Sequence, residues 1–138
     1  MDKKVIFAVA GSGKTTFLLN ELNLDDRFLL VTYTTNNVKN LKLGIIKRFG
    51  YFRENIKLLS YFSFLYSFCY KPFMHCIFKE KGITYKRKPN RFTKKTDPEH
   101  YIDANGYLYS ARISKLLLEF KVYEDIQKRI TKYFDHFF

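Results

Sequence analysis

The chain has 138 residues, enough for one small domain with a real core. Twenty-six of them are Tyr or Phe and none is Trp, which argues against a disordered chain. The formal net charge of +12 points to an acidic partner such as nucleotide or nucleic acid. Part of that charge has a blander source, because Phe, Tyr, Ile, Asn and Lys share AT-rich codons and make up 62 of the residues.

In chain order, Val5-Ile6-Phe7-Ala8-Val9-Ala10 is a continuous apolar run and reads as a buried strand. Gly11-Ser12-Gly13 follows, and Thr15 to Leu22 reads as a helix. Asp25-Asp26 mark a turn before a second buried strand, Phe28–Tyr33. Asn36 or Asn37 is the expected cap of a helix carrying Val38, Leu41, Ile45, Ile46 and Phe49 on one face, and Gly50 stops it. Ile56–Tyr61 is a third strand, and Phe64–Tyr70 a short helix ended by Pro72. Strand and helix alternating at this pace predict βαβ units and a parallel sheet over residues 1–70.

Beyond residue 70 the pattern changes. Residues 71–112 read as a basic loop or insertion, since 79–95 hold eight Lys or Arg against Glu80 alone. Such a run reads as a solvated surface loop or as a contact for nucleic-acid phosphates. Asn105-Gly106 is placed to turn a small hairpin between Tyr101-Ile102 and Tyr107-Leu108-Tyr109. Residues 113–132 read as one amphipathic helix with Ile113, Leu116, Leu117, Phe120, Tyr123, Ile126 and Ile130 as its core stripe. Residues 133–138 read as the start of a truncated strand.

Two cysteines, Cys69 and Cys76, make no disulfide scaffold and are expected as reduced thiols. With His75 and His100 they fit no usual zinc spacing. No secretory signal is visible, and the longest apolar-rich stretch, residues 58–70, is too short for a membrane span. The expectation is a cytoplasmic protein with no membrane partner.

The strongest chemical signal is Ala8-Val9-Ala10-Gly11-Ser12-Gly13-Lys14-Thr15, a phosphate-loop pattern with Ala in the leading position. Gly11 and Gly13 let the backbone turn its N–H groups on a phosphate. Lys14 places a charge near the β- and γ-phosphates, the Thr15 hydroxyl is the expected Mg²⁺ ligand, and the helix start favours an anion. Ala10, Gly11, Ser12, Gly13, Lys14, Thr15 and Thr16 are therefore the expected ATP-binding residues. Lys14 and Thr15 are those nearest the chemistry. Hydrolysis also needs a metal-holding carboxylate at the end of a later buried strand. Neither Phe28–Tyr33 nor Ile56–Tyr61 ends in one, and Asp135 stands before an apolar pair and not after it.

Residues 8–16 resemble the first motif of the UvrD/Rep-like superfamily 1 DNA helicases, which share Ala-Gly-Ser-Gly-Lys-Thr. Val31-Thr32-Tyr33-Thr34-Thr35-Asn36-Asn37 resembles the family's next motif, where Phe-Thr-Asn is usual. Ser60-Tyr61-Phe62-Ser63-Phe64 resembles the third, with Phe62 where the family has His. Tyr133 to Phe138 resembles the lead-in to the acidic Walker B motif, and the chain ends there.

The resemblance implies a P-loop NTPase-like (RecA-like) α/β fold, incomplete here, with a basic insertion and a helical C-terminal part. It implies ATP and Mg²⁺ as ligands, and single-stranded DNA at Thr34, Thr35, Asn36 and Tyr61, the last by stacking on a base. The expected function is the ATP-binding N-terminal part of a helicase that couples ATP hydrolysis to movement along single-stranded DNA. On this reading the chain is truncated before its metal carboxylates and inactive alone. Self-association through an uncovered sheet edge follows, with Ile113, Leu117 and Phe120 lacking partners. Two other readings are a small phosphotransferase of nucleotide-kinase type, with 79–95 as a lid, and a non-catalytic basic nucleic-acid-binding protein.

Overall fold

The computed structural model describes residues 11–138, so the expected first strand, Val5–Ala10, lies outside the described residues. Helix α1 (Lys14–Glu21) leads to strand β1 (Phe28–Thr32), helix α2 (Thr35–Phe49) and strand β2 (Ile56–Ser60). One turn of helix, α3 (Tyr61–Ser63), runs into a π-helical stretch, Phe64–Tyr70, and then α4 (Lys71–Phe78). Strands β3 (Gly82–Thr84) and β4 (Tyr107–Tyr109) precede α5 (Ile113–Glu119), α6 (Tyr123–Tyr133) and β5 (His136–Phe137). The fold is mixed α/β, with a small parallel sheet and flanking helices. No helix among the described residues is long and apolar enough to cross a membrane. The chain forms two compact units, residues 11–61 with 128–138, and residues 62–127.

Among the described residues of the first unit the strand order is β2-β1-β5, all parallel. Central β1 carries Phe28, Leu29 and Leu30, all buried, as a strand covered on both faces requires. Its register sets Phe28 beside Ile56 and Thr32 beside Ser60 on one side, and Phe28 beside His136 on the other. Pairing with β5 continues past the strand end, since the Val31 N–H donates to the Phe138 carbonyl at 2.7 Å. Phe28 and Leu30 share one face, where they pack with Leu22, Ile45 and Ile56. Each such buried side chain is worth about 2 kcal/mol against exposure.

Helix α2 starts two to three residues earlier than its asparagines suggest. Thr34, with extended backbone, is the cap, and its side chain accepts the Asn37 N–H at 3.2 Å. Asn36 and Asn37 lie inside the first turn, because the cap position needs the extended backbone that only Thr34 has here. Gly50, at φ +84°, closes the other end, its N–H donating to the Ile46 carbonyl. The last turn of α2 is tied to the last turn of α1. Arg48 donates to the carbonyls of Leu19 at 2.6 Å and Leu22 at 3.1 Å. Leu19 also packs against Gly44, where a Cβ would come within 2.6 Å of it. With their C-termini together and their packing in step, α1 and α2 run parallel.

The second unit departs from the expectations in three places. Pro72 does not end a helix at Tyr70; it lies in the first turn of α4, which continues to Phe78. The π-helical stretch before it, closed by the Lys71 N–H on the Tyr66 carbonyl, keeps the chain helical up to the proline. The basic segment is not all loop. It contributes β3, which pairs in parallel with β4, while Ile102 and Leu108 form an antiparallel bridge about the Asn105-Gly106 turn. Gly106 takes φ +85° there.

Residues 113–132 are two helices and not one. The Val122 N–H reaches back to the Leu117 carbonyl and the Lys121 N–H to that of Leu118, with Lys121 left-handed at φ +54°. That is a Schellman stop built without glycine, at a cost of about 1 kcal/mol. Ile113, Leu116 and Leu117 are buried, which corrects the expectation that Ile113 and Leu117 lack partners. Phe120 remains 43% exposed but meets the Phe78 ring edge-on at 5.5 Å.

Candidate functional site

Of the phosphate-loop residues, Ala10 lies outside the described residues, and Gly11 to Thr16 are exposed ahead of and within the first turn of α1. Gly11 and Gly13 have φ of +80° and +79°. A Cβ at either position would meet nothing within 4 Å, so it is the left-handed backbone, not space, that calls for glycine. Gly13 is the cap residue of α1, and its carbonyl accepts the Phe17 N–H at 2.8 Å. Having no side chain, it cannot cover the amides of the first turn, and no acidic residue lies in that turn. The positive end of α1, with Lys14, Thr15 and Thr16 on it, faces outward.

The carboxyl ends of β1 and β2 lie side by side. Because Thr32 pairs with Ser60, the next residues, Tyr33 and Tyr61, come together, their ring centroids 5.8 Å apart and tilted by 33°. Tyr33 is 68% exposed, and so belongs to this surface although sequence reasoning did not select it. Its signal was the register: two parallel strands ending in Thr-Tyr and Ser-Tyr put the tyrosines together. Thr35 and Asn36 are exposed in the first turn of α2, beside β1. Thr34 spends its hydroxyl on capping. As α1 runs parallel to α2, both helices aim their N-termini toward this end of the sheet.

Asp135 is at the opposite end. Arg27 donates to its carboxylate from Nε at 3.0 Å, from Nη2 at 2.9 Å and from its own backbone N–H at 2.9 Å. These bonds hold the Asp135 carboxyl down at about 2. No carboxylate stands at the carboxyl ends of β1 or β2. Among the described residues no group of three His, Cys, Asp or Glu side chains is placed to hold a metal ion. A magnesium ion at α1 would therefore have the Thr15 hydroxyl and the phosphates of its nucleotide, a donor set that suits Mg²⁺, which keeps its remaining positions for water.

Two buried polar clusters in the second unit escaped the sequence. Glu80 is buried and accepts from Tyr70 at 2.7 Å and Tyr66 at 3.0 Å, with His75 Nδ1 at 2.8 Å. Burial pushes its carboxyl up, but these bonds outweigh it and the net shift is downward. Tyr66 is pushed up to about 12, by burial first and by its bond to Glu80 second. The hint was Glu80 itself, the one acid in a basic run. Asp103, also buried, accepts the backbone N–H groups of Asn105 and Tyr107 and the Arg87 guanidinium, and its carboxyl is held low. His75 and His100 both have ring nitrogens engaged within the protein, the latter at Thr93.

Comparison with protein-family models, with curated proteins and with solved structures finds no match to this chain.

Proposed function

We propose that this chain is the ATP-binding part of a UvrD-like DNA helicase, the motor as a whole coupling ATP hydrolysis to movement on single-stranded DNA. The observation that carries this reading is the glycine loop at α1. Two left-handed glycines stand at an exposed helix start that has no side-chain cap among the described residues and no acid in its first turn, next to Lys14. The parallel strands and the shared direction of α1 and α2 agree with a P-loop NTPase-like arrangement, in which ligands gather at the carboxyl ends of strands. On this reading Gly11 to Thr16 hold the phosphates, and Thr15 is the protein's ligand to Mg²⁺. Thr35, Asn36 and the Tyr33–Tyr61 pair face the DNA, with Thr34 shaping the turn. Self-association through an outer strand of the sheet that the described residues form, β2 or β5, belongs to the same reading.

Isothermal titration of the full chain with Mg·ATP tests it. Measurable binding is expected, with little turnover, because no carboxylate stands at the ends of β1 and β2. Lys14→Ala should weaken binding about ten- to hundredfold, the worth of a hydrogen bond to a charged group. Equal affinity in the variant, or no affinity in the wild type, overturns the proposal. The latter result, with DNA binding retained, is what a non-catalytic basic nucleic-acid-binding protein predicts.

A further inference from the structure

The turn at residues 85–96 is held in one shape by bonds that leave most of its charge outside. Buried Arg112 donates to the carbonyls of His100 at 2.5 Å and Asn90 at 2.8 Å, and to the Thr93 hydroxyl at 3.2 Å. Thr93 in turn donates to the Asn90 carbonyl, and the Asn90 side chain accepts the Phe92 N–H, both at 3.0 Å. Arg87 is fixed on buried Asp103 at 2.8 Å.

Residues 85–96 contain six Lys or Arg and no acid. Gathering like charges on a fixed turn opposes folding, and burying Arg112 against carbonyls adds a desolvation cost. The Arg87–Asp103 pair offsets only one of the six charges. Phe92, at its outer side, is 94% exposed, between Arg91 and the pair Lys94 and Lys95, which are also exposed. A single exposed apolar side chain is ordinary. An aromatic ring on a pinned backbone, with Arg91 beside it in the chain and Lys94 and Lys95 two and three residues on, is a different object. It offers a flat apolar face on a segment rich in phosphate-binding charge. Unpaired bases are bound in this way: the ring stacks on a base and the cations take the flanking phosphates. A duplex hides its base faces, which a stacking ring needs open.

We infer that this turn is a binding site for single-stranded DNA, with Phe92 stacking on a base and Arg91, Lys94 and Lys95 holding adjacent phosphates. The choice of DNA over RNA rests on the motor reading above; the stacking and the phosphate pairing do not.

The test is fluorescence anisotropy of the full chain with a labelled oligothymidylate, titrated over a range of salt. Phe92→Ala should weaken binding about tenfold, and Phe92→Tyr should keep it. The double variant Lys94→Gln/Lys95→Gln should flatten the log–log salt dependence by about 0.7 for each phosphate no longer neutralised. The thermal midpoint of Phe92→Ala should match the wild type, because the ring is out of the core. Lys14→Ala should leave DNA binding intact, so failure of the nucleotide reading and failure of this one are told apart. Equal affinity of Phe92→Ala and wild type would overturn the proposal. So would tighter binding to an oligouridylate, equal binding to duplex, or binding to phosphatidylserine vesicles in place of the oligonucleotide.

Discussion

Arg27 and Asp135 are 108 residues apart in sequence and share a forked ion pair closed by a backbone N–H. Both side chains are partly exposed, so the pair is screened by solvent and its effect is best seen through pH. Asp135 has a folded value of about 2, below its unfolded value near about 3.9. Its contribution is therefore complete above the unfolded value and lost as pH falls toward the folded one. The expected outcome is that wild type and Arg27→Ala differ in urea midpoint near neutral pH. That difference should shrink as pH falls from about 4 to about 2. A gap that does not change with pH would show that the pair does not form. The same pairing holds Asp135 at the amino end of the sheet, away from Tyr33 and Tyr61.

Among the elements, the start of α2 gives a capping role to Thr34, a residue expected to touch DNA. Thr34 caps the helix through its side chain. Thr34→Ala should cost about 1 kcal/mol in chemical denaturation. Thr34→Asp, which keeps a cap acceptor, should recover most of that stability. If the alanine variant is as stable as wild type, the hydroxyl is free for another partner and the capping account fails. The elements also show which local signals are readable. The apolar runs of β1 and β2 and the glycine stop of α2 lie close to where the sequence puts them, because burial on both faces and a left-handed cap leave local marks. The break at Lys121 leaves none. A lysine is a poor choice for a left-handed position, and the apolar stripe keeps its spacing across the break. Pro72 misleads for the opposite reason, since a proline reads as a stop whether it follows a helix or opens one.

For the molecule as a whole, the parallel sheet of the first unit is closed by a strand that arrives after the entire second unit. Strand β5 brings His136, stacked on Phe28 at 4.9 Å, and the Phe138 carbonyl that takes the Val31 N–H. A chain lacking residues 134–138 should lose hydrogen-exchange protection at Val31, whose amide is left without its acceptor. Its urea midpoint should also fall, because the Arg27–Asp135 pair goes with the strand. Unchanged protection at Val31 would mean that β1 does not depend on this neighbour.

The sequence by itself determined the α/β class, the positions of the central strands, and the glycine loop with its expected phosphate chemistry. Each of these is written within a dozen neighbouring residues, as periodicity, as a cap, or as glycines where the backbone must turn left-handed. The tertiary structure alone decided the strand order, the meeting of Tyr33 with Tyr61, the pairing of Arg27 with Asp135, and the use of Arg112 to pin a basic turn. These join residues far apart in the chain, and their energy comes from interactions that exist only once the strands are in register and the distant segments meet.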